Sequence, residues 1–397
     1  MRIPLLPLIS LLLLAVSSDA YIFVMLRRRF RSLKPSGFYA IGAIALWVVL
    51  IVGLCLPMRG GSQGVLLAKM WILFGFLTFL FPKVLFVIID LLAQIPLLLR
   101  PRRKRLRWLS VAGAVMAGVV FVSMWWGALI NRFRTDTVEV DVVVESLPQA
   151  FDGYRIVQIS DLHVGTYGSD DSFVREVVEK VNGLKPDMIV FTGDIVNRIS
   201  AELVPFTDAL SGLHAPDGVY SILGNHDYGD YYDFASEAEK RTNLDSLISM
   251  LRRMGWDLLL NEHRVIRRGA DSLVLIGVEN VGDPPFKTYG DLGKAYPATA
   301  DASCKILLTH NPAHWTDDIS NTDSINIALS LAGHTHAMQI EVFGLSPAAL
   351  RYATWGGLYG DGKGQRLLYV NRGIGTVGMP MRLGATPEIT LITLRRK

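Results

Sequence analysis

Cysteine is almost absent from this chain: Cys55 and Cys304 are the only two in 397 residues. Cys55 lies in an apolar run and Cys304 opens a strand-like segment, so no disulfide can form within the second half. A CxxC zinc or redox site is excluded as well. Acid is almost absent from residues 1–134, where Asp19 and Asp90 stand against 17 Lys and Arg, a net of +15. Residues 135–397 carry the other 23 basic and 34 acidic groups, a net of −11. The basic pI of about 9.0 therefore belongs to the apolar first part and gives no footprint for nucleic acid. Long apolar runs are in turn missing after Ile130, and a mildly acidic second part suits a domain that holds cations.

What the first part does have is hydrophobicity, and it accounts for a mean hydropathy of +0.32. Four stretches, about Leu5–Leu26, Phe38–Leu56, Leu66–Leu99 and Trp108–Ile130, each reach the ~20 residues a helix needs to cross a bilayer. The third contains Pro82 and Pro96 and reads as one kinked or tilted helix with an interfacial end. A hairpin there would have only Phe81-Pro82-Lys83 to turn in. The first stretch is followed by heavy positive charge, the wrong polarity for a cleaved signal, so it is expected to be a retained span. Arg27, Arg28, Arg29, Arg31 and Lys34 follow the first span, and Arg100, Arg102, Arg103, Lys104, Arg105 and Arg107 follow the third. The positive-inside rule puts both loops in the cytoplasm and the chain's exit from the fourth span on the outer face. Lys83 and Asp90 lie two helical turns apart in the third stretch. They are expected to snorkel or to pair with each other, since no other span offers an obvious partner.

From Asp136 the pattern changes to short β-type runs alternating with amphipathic segments. Val138–Val142 alternates strictly and begins just past the last span, so the tether is short. Then one arrangement recurs five times. Arg155–Ser160 ends in Asp161-Leu162-His163, and Met188–Thr192 ends in Gly193-Asp194. Val219–Leu223 ends in Gly224-Asn225-His226-Asp227, and Lys305–Thr309 ends in His310. Ile325–Leu331 ends in Gly333-His334-Thr335-His336. Helices are expected near Ser172–Gly183, Ala201–Leu213 and Asn243–Met254. This is the layout of an α/β sheet that carries its chemistry at the carboxyl ends of its strands. The glycines before Asp194, Asn225 and His334 are expected to let the backbone turn sharply.

Two Asp, one Asn and four His suit two cations ~3.5–4 Å apart, which clamp phosphate oxygens and activate water. Mixed N/O donors favour Mn, Fe, Zn or Ni over Ca or Mg. The ordered set Asp161-x-His163, Gly193-Asp194, Gly224-Asn225-His226-Asp227, His310 and Gly333-His334-x-His336 resembles the motifs of the calcineurin-like metallophosphoesterases, from about Gly153 to the C-terminus. It is similar to a bacterial membrane-associated subgroup that includes phosphodiesterases and UDP-2,3-diacylglucosamine pyrophosphohydrolases. The resemblance implies a four-layer α/β/β/α sandwich over residues 135–397, and the apolar stretches place a bundle of about four transmembrane helices over residues 1–134 before it. The resemblance also implies that Asp161, His163 and His336 hold one metal, that Asn225, His310 and His334 hold the second, and that Asp194 bridges them. A hydroxide held between the metals would attack phosphorus in line. His226 would then protonate the leaving oxygen, with Asp227 orienting it. One departure is visible: Ala337-Met338 follow His336, where two glycines are common.

The expected function is hydrolysis of a phosphodiester or pyrophosphate bond in a phosphorylated, lipid-linked or membrane-proximal substrate, by an enzyme integral to a bacterial membrane. Its catalytic domain is expected on the extracytoplasmic face. A UDP-2,3-diacylglucosamine pyrophosphohydrolase is the alternative, and a non-catalytic sensor of a phosphorylated ligand is a third. Outside the motifs, His214, His263 and His314 are expected at the surface or in packing. Asp171 is expected to cap the helix from Ser172. The segment Gly373–Gly378, which begins within Arg372-Gly373-Ile374-Gly375, is expected to turn between strands. Arg382 is expected to be solvated at the surface.

Overall fold

The computed structural model of the chain describes residues 5–397, apart from positions 31, 58, 100–103, 285, 297–303, 323–324 and 363–365. Arg31, Arg100, Arg102 and Arg103, counted above for the loop charges, lie outside the described residues. Two compact units emerge: Met1–Leu129 with Gly378–Pro380, and Ile130–Val377 with Met381–Lys397.

The first unit is helical. Its elements are α1 (Leu5–Arg29), α2 (Lys34–Cys55), α3 (Gln63–Leu92), a short α4 (Ile95–Leu99) and α5 (Arg107–Leu129). Four helices among the described residues are long and apolar enough to cross a membrane. α3 runs unbroken through Pro82 but ends at Leu92, and a separate short α4 follows where one continuous helix was expected. Ala15, Leu50, Phe76 and Leu80 pack at the centre of α1, α2 and α3. Lys83 and Asp90 do not pair with each other: α1 supplies Asp19 and Tyr21, and Arg105, just before α5, supplies a cation. Lys83 meets Asp19 at 2.5 Å, and Asp19 also accepts from Tyr39 Oη (2.6 Å) and Trp47 Nε1 (2.9 Å). Asp90, fully buried, pairs with Arg105 and accepts from Tyr21 Oη at 2.5 Å.

The second unit contains twelve strands among the described residues, in two six-stranded sheets. They are β1 (Asp136–Val144), β2 (Arg155–Ile159), β3 (Met188–Phe191), β4 (Val219–Ser221), β5 (Asp257–Leu258), β6 (Glu262–Arg268), β7 (Asp271–Gly277), β8 (Cys304–Leu308), β9 (Leu329–Ala332), β10 (Gly357–Gly360), β11 (Leu367–Val370) and β12 (Glu388–Arg396). One sheet runs β1-β12-β2-β3-β4-β5 and the other β10-β11-β9-β8-β7-β6. The central strands pair in parallel and are buried along their length, as strands covered on both faces must be. Their side chains alternate between two cores. Ile156, Met188 and Val190 of one sheet meet Leu275, Ile306 and Leu308 of the other. The neighbouring Val157, Ile189 and Phe191 pack outward with Val174 and Val177 of α6 (Ser172–Gly183), after which comes α7 (Thr207–Leu210). Leu247 and Leu251 of α8 (Glu237–Arg253) join the same core. On the far side Val274, Ile276 and Leu307 pack with Trp315 and Ile319, near a last short helix α9 (Leu292–Ala295). Helices, two sheets and helices again make the α/β/β/α sandwich.

Local departures have local causes. The helix expected over Ala201–Leu213 is a 3-10 turn at Ser200–Phe206 followed by α7, because Pro205 supplies no amide proton inside it. α8 starts six residues before Asn243, where Ser236 Oγ accepts from Glu239 N. β9 covers only the end of the expected Ile325–Leu331 run. Asp171 occupies the N-cap position of α6 but makes no capping bond. Its carboxylate pairs with Arg175 at 2.6 Å, and Asp170 accepts from Ser172 N instead.

Candidate metal centre

Parallel strands aligned side by side put their carboxyl ends on one edge, and here the loops after β2, β3, β4, β8 and β9 converge. They bring Asp161, His163, Asp194, Asn225, His226, His310, His334 and His336 together. Three donor groups that could hold a metal ion form: Asp161, His163 and His336; His163, Asp194 and His226; Asp194, His310 and His334. Asp194 is shared by the last two, and His163 by the first two.

The backbone reaches this arrangement at a cost. Asp161, His163, Asp194, His334 and His336 themselves have positive φ, from 43° to 72°. Left-handed conformations of this kind cost non-glycine residues of order 1–3 kcal/mol each and persist where surroundings overdetermine them. Of the three glycines expected to turn, only Gly193 has positive φ (96°). Gly333 is required for space: a Cβ there would meet Ser160 Oγ at 2.0 Å and Asp161 Oδ2 at 2.3 Å.

Hydrogen bonds fix which lone pairs face inward. His310 Nδ1 donates to the Thr192 carbonyl at 2.7 Å, so its Nε2 lone pair points at Asp194 Oδ2 and Asn225 Oδ1, each 3.1 Å away. Asn225 Nδ2 donates to Tyr231 Oη at 2.8 Å, which turns the amide oxygen inward. His334 sets Nδ1 at 3.2 Å from His310 Nε2 and rests its Nε2 on Tyr352 Oη at 3.0 Å. Four atoms that can bind a divalent cation thus converge: His310 Nε2, Asp194 Oδ2, Asn225 Oδ1 and His334 Nδ1. Burial opposes charge on His310, but the adjoining Asp194 carboxylate outweighs it and pushes the imidazole up to about 9. A cation in place of that proton meets the same carboxylate. Burial, then the charge on His310, push His334 down to about 3, which keeps its lone pair available.

The other group is backed differently. His163 Nε2 lies 3.1 Å from His336 Nε2 and 3.6 Å from Asp194 Oδ2, and His336 Nε2 lies 3.2 Å from Asp161 Oδ1. Burial would raise the Asp161 carboxyl, yet His336 and His310 hold it below the usual carboxylate range. His163 Nδ1 is buried with no hydrogen-bond partner. Behind His336 stands Arg382, which is fully buried and not at the surface as expected. It donates to the carbonyls of Gly375, Arg372 and Ala385 and sets Nη2 at 3.2 Å from His336 Nδ1. The guanidinium packs against the His336 ring and turns Nε2 toward Asp161. The segment around Gly373 lies between β11 and β12 and braces the first motif through Ile374 N to Ser160 O and Gly375 N to Asp161 O. Ala337 and Met338 both adopt left-handed φ (50° and 46°), the conformation that glycine would take more easily there.

The group that orients His226 is not Asp227, as expected, but Asn197. His226 is oriented by Nδ1 donating to the Asn197 carbonyl at 2.7 Å and by stacking on Tyr231, with ring centroids 4.1 Å apart. Asp227 does not touch its ring. Its carboxylate accepts the N–H groups of Asp194, Ile195, Val196 and Gly224, which pins the β3 and β4 loops together. Those donors favour the ionised form, while burial and the Asp194 charge push the carboxyl up to about 7. Tyr231, Tyr352 and the Asn197 carbonyl had no signal in the sequence, since their partners are brought to them only by folding. His314 is buried, with Nδ1 3.0 Å from Thr309 Oγ1, and burial pushes it down to about 4.

Comparison with known proteins agrees with this geometry. Residues 154–338 match the family model "Calcineurin-like phosphoesterase", and residues 1–132 match "Probable Calcineurin-like phosphoesterase, transmembrane domain". The chain is 30% identical over 296 residues to the uncharacterized metallophosphoesterase YkuE of Bacillus subtilis, covering 71% of this chain and 94% of that one. It is 28% identical over 337 residues to the UDP-2,3-diacylglucosamine pyrophosphatase LpxG of Chlamydia trachomatis, covering 70% and 94%. A transmembrane protein with metallophosphoesterase domain from Danio rerio is 30% identical over 296 residues, covering 72% of this chain and 64% of that one. The chain belongs to the calcineurin-like metallophosphoesterases and is a membrane-associated phosphoester hydrolase.

Proposed function

We propose that this protein uses two divalent cations to hydrolyse a phosphodiester or pyrophosphate bond in a lipid-linked or membrane-proximal substrate. The position of Asp194 carries the two-cation reading: its Oδ2 lies 3.1 Å from His310 Nε2 and 3.6 Å from His163 Nε2, so one carboxylate faces a donor of each ion. Asp161, His163 and His336 would hold one ion and Asn225, His310 and His334 the other. Divalent cations so held polarise phosphoryl oxygens and lower the pKa of water to the neutral range. His226, half-buried with Nδ1 committed to Asn197, has Nε2 left to give a proton to the leaving oxygen. Asp227 acts through the loops it ties and not as a partner of that ring.

The short tether supports a substrate near lipid. Only six residues separate the end of α5 from β1, on the order of 20 Å when extended. With the basic loops in the cytoplasm, the positive-inside rule puts the catalytic unit outside. The likeness to LpxG favours a second reading, a nucleotide–lipid pyrophosphatase, whose substrate is expected on the cytoplasmic side. A topology reporter fused after Lys397 separates them: activity only outside supports the first reading, and activity only in the cytoplasm the second. The sensor reading is disfavoured because every expected donor converges.

Detergent-solubilised full chain with Mn²⁺ should cleave bis-p-nitrophenyl phosphate, and a panel of monoesters, diesters and lipid pyrophosphates then ranks the substrates. Failure on the entire panel would end this reading.

A further inference from the structure

Past the Gly-His-x-His motif, the segment 342–350 contains no charged residue and only one polar one, Ser346, which is buried. Its apolar side chains nevertheless point outward: Phe343 is 99% exposed, Leu350 93%, Leu345 76% and Val342 46%. Clustered exposure of large apolar groups marks an interaction surface, unlike the isolated leucine common on any protein.

This rim is built and not frayed. Val342 and Leu345 exchange backbone hydrogen bonds of 2.9 and 3.0 Å, closing a two-residue turn. Both central residues, Phe343 and Gly344, have positive φ (52° and 75°). Asn or Gly suits the first of those positions, whereas a bulky aromatic there is strained. The chain thus holds a phenyl ring at the tip of a tight turn in a conformation that the turn alone disfavours. The same segment is tied to the metal centre. Ser346 Oγ donates to the carbonyl of Ala337, next to His336, at 2.6 Å, and Tyr352, whose hydroxyl meets His334, donates its N–H to Ala348 O at 2.8 Å.

We propose that Val342, Phe343, Leu345 and Leu350 form a docking rim that seats in the headgroup layer of a lipid bilayer. The occupant is a bilayer because the chain's own apolar helices and short tether keep this unit beside one. A nine-residue stretch free of charge can also enter the interface without the penalty that a buried charge brings. The phenyl tip supplies the aromatic anchor favoured at that depth. Docking requires no lipid-linked substrate, so it goes beyond the hydrolytic reading and stands or falls separately from it.

The test uses the full chain in phosphatidylcholine–phosphatidylglycerol vesicles, with an environment-sensitive fluorophore on Leu345→Cys in a Cys55→Ala background. Cys304 is buried, and burial pushes its thiol up to about 12, so it does not compete for label. The expected result is blue-shifted emission and quenching by lipids spin-labelled near the headgroup. Both should diminish when Phe343→Ser and Leu350→Ser are added, and a label on exposed Glu176→Cys should show neither. Water-like, unquenched emission at 345 overturns the proposal. So does a blue shift without lipid quenching, which would mean a second protein copy covers the rim. Equal quenching with and without the two serines also overturns it, because the label alone would then drive insertion. An unchanged thermal midpoint in the serine variant confirms that the fold is intact.

Discussion

Asp90 in the helical unit and Asp194 in the sheet unit are both buried, and they are surrounded in opposite ways. Asp90 meets a guanidinium and a phenol, and nearby Asp19 meets an ammonium, a phenol and an indole N–H. Every charge there is answered within the protein. Asp194 faces histidine and amide lone pairs whose protons have been sent elsewhere, to Thr192, Asn197 and Tyr231. A closed set of partners holds helices together, whereas a convergent set of donor atoms is one that a cation could bind. The difference separates structural from functional buried charge, although sequence treats both as acids in apolar surroundings.

The strongest way to break that contrast is Asp194→Ala. Hydrolysis of bis-p-nitrophenyl phosphate should fall on the order of 10³-fold, the equivalent of several kcal/mol of charge stabilisation, with little change in thermal midpoint. Lys83→Met should do the reverse. Leaving Asp19 without its cation should destabilise the helical unit by about 3 kcal/mol, read as a lower unfolding midpoint, with turnover of a water-soluble diester unchanged at low temperature.

His314 shows that closure matters and not the unit a residue occupies, for it is buried in the sheet unit with its Thr309 partner satisfied. Held neutral when folded, it takes up a proton only on unfolding. Its contribution is therefore complete above its ordinary value near 6.5 and declines as pH falls toward about 4. The loss should approach about 3 kcal/mol, and His314→Gln should flatten that part of the midpoint-versus-pH curve. The smallest effect is expected at Arg382. Arg382→Ala should weaken metal affinity about 10–100-fold, measured by competition with a chelating dye. Arg382→Lys should not restore it, because an ammonium cannot reach three carbonyls and an imidazole at once.

The candidate donors are legible because each sits directly after a strand, in a motif only a few residues long. The sandwich followed from the same strands, together with the family resemblance. What escaped notice was held by distant partners. Arg382 supports His336 from 46 residues away, and Asp19 answers Lys83 across 64. Adjacency in sequence pairs Asp227 with His226, whereas its carboxylate serves four backbone amides, three of them on another loop. Backbone carbonyls such as Asn197 and Thr192 carry no side-chain signature at all. Local chemistry is written in order along the chain, while its supports are written by the fold.

In the proposed centre Asp194 serves two cations at once. Metal content of the full chain, loaded with Mn²⁺, desalted and measured by inductively coupled plasma mass spectrometry, tests it directly. Two ions per chain are expected, with both lost in Asp194→Ala. A single ion in the native chain, or two ions retained in the variant, would contradict it.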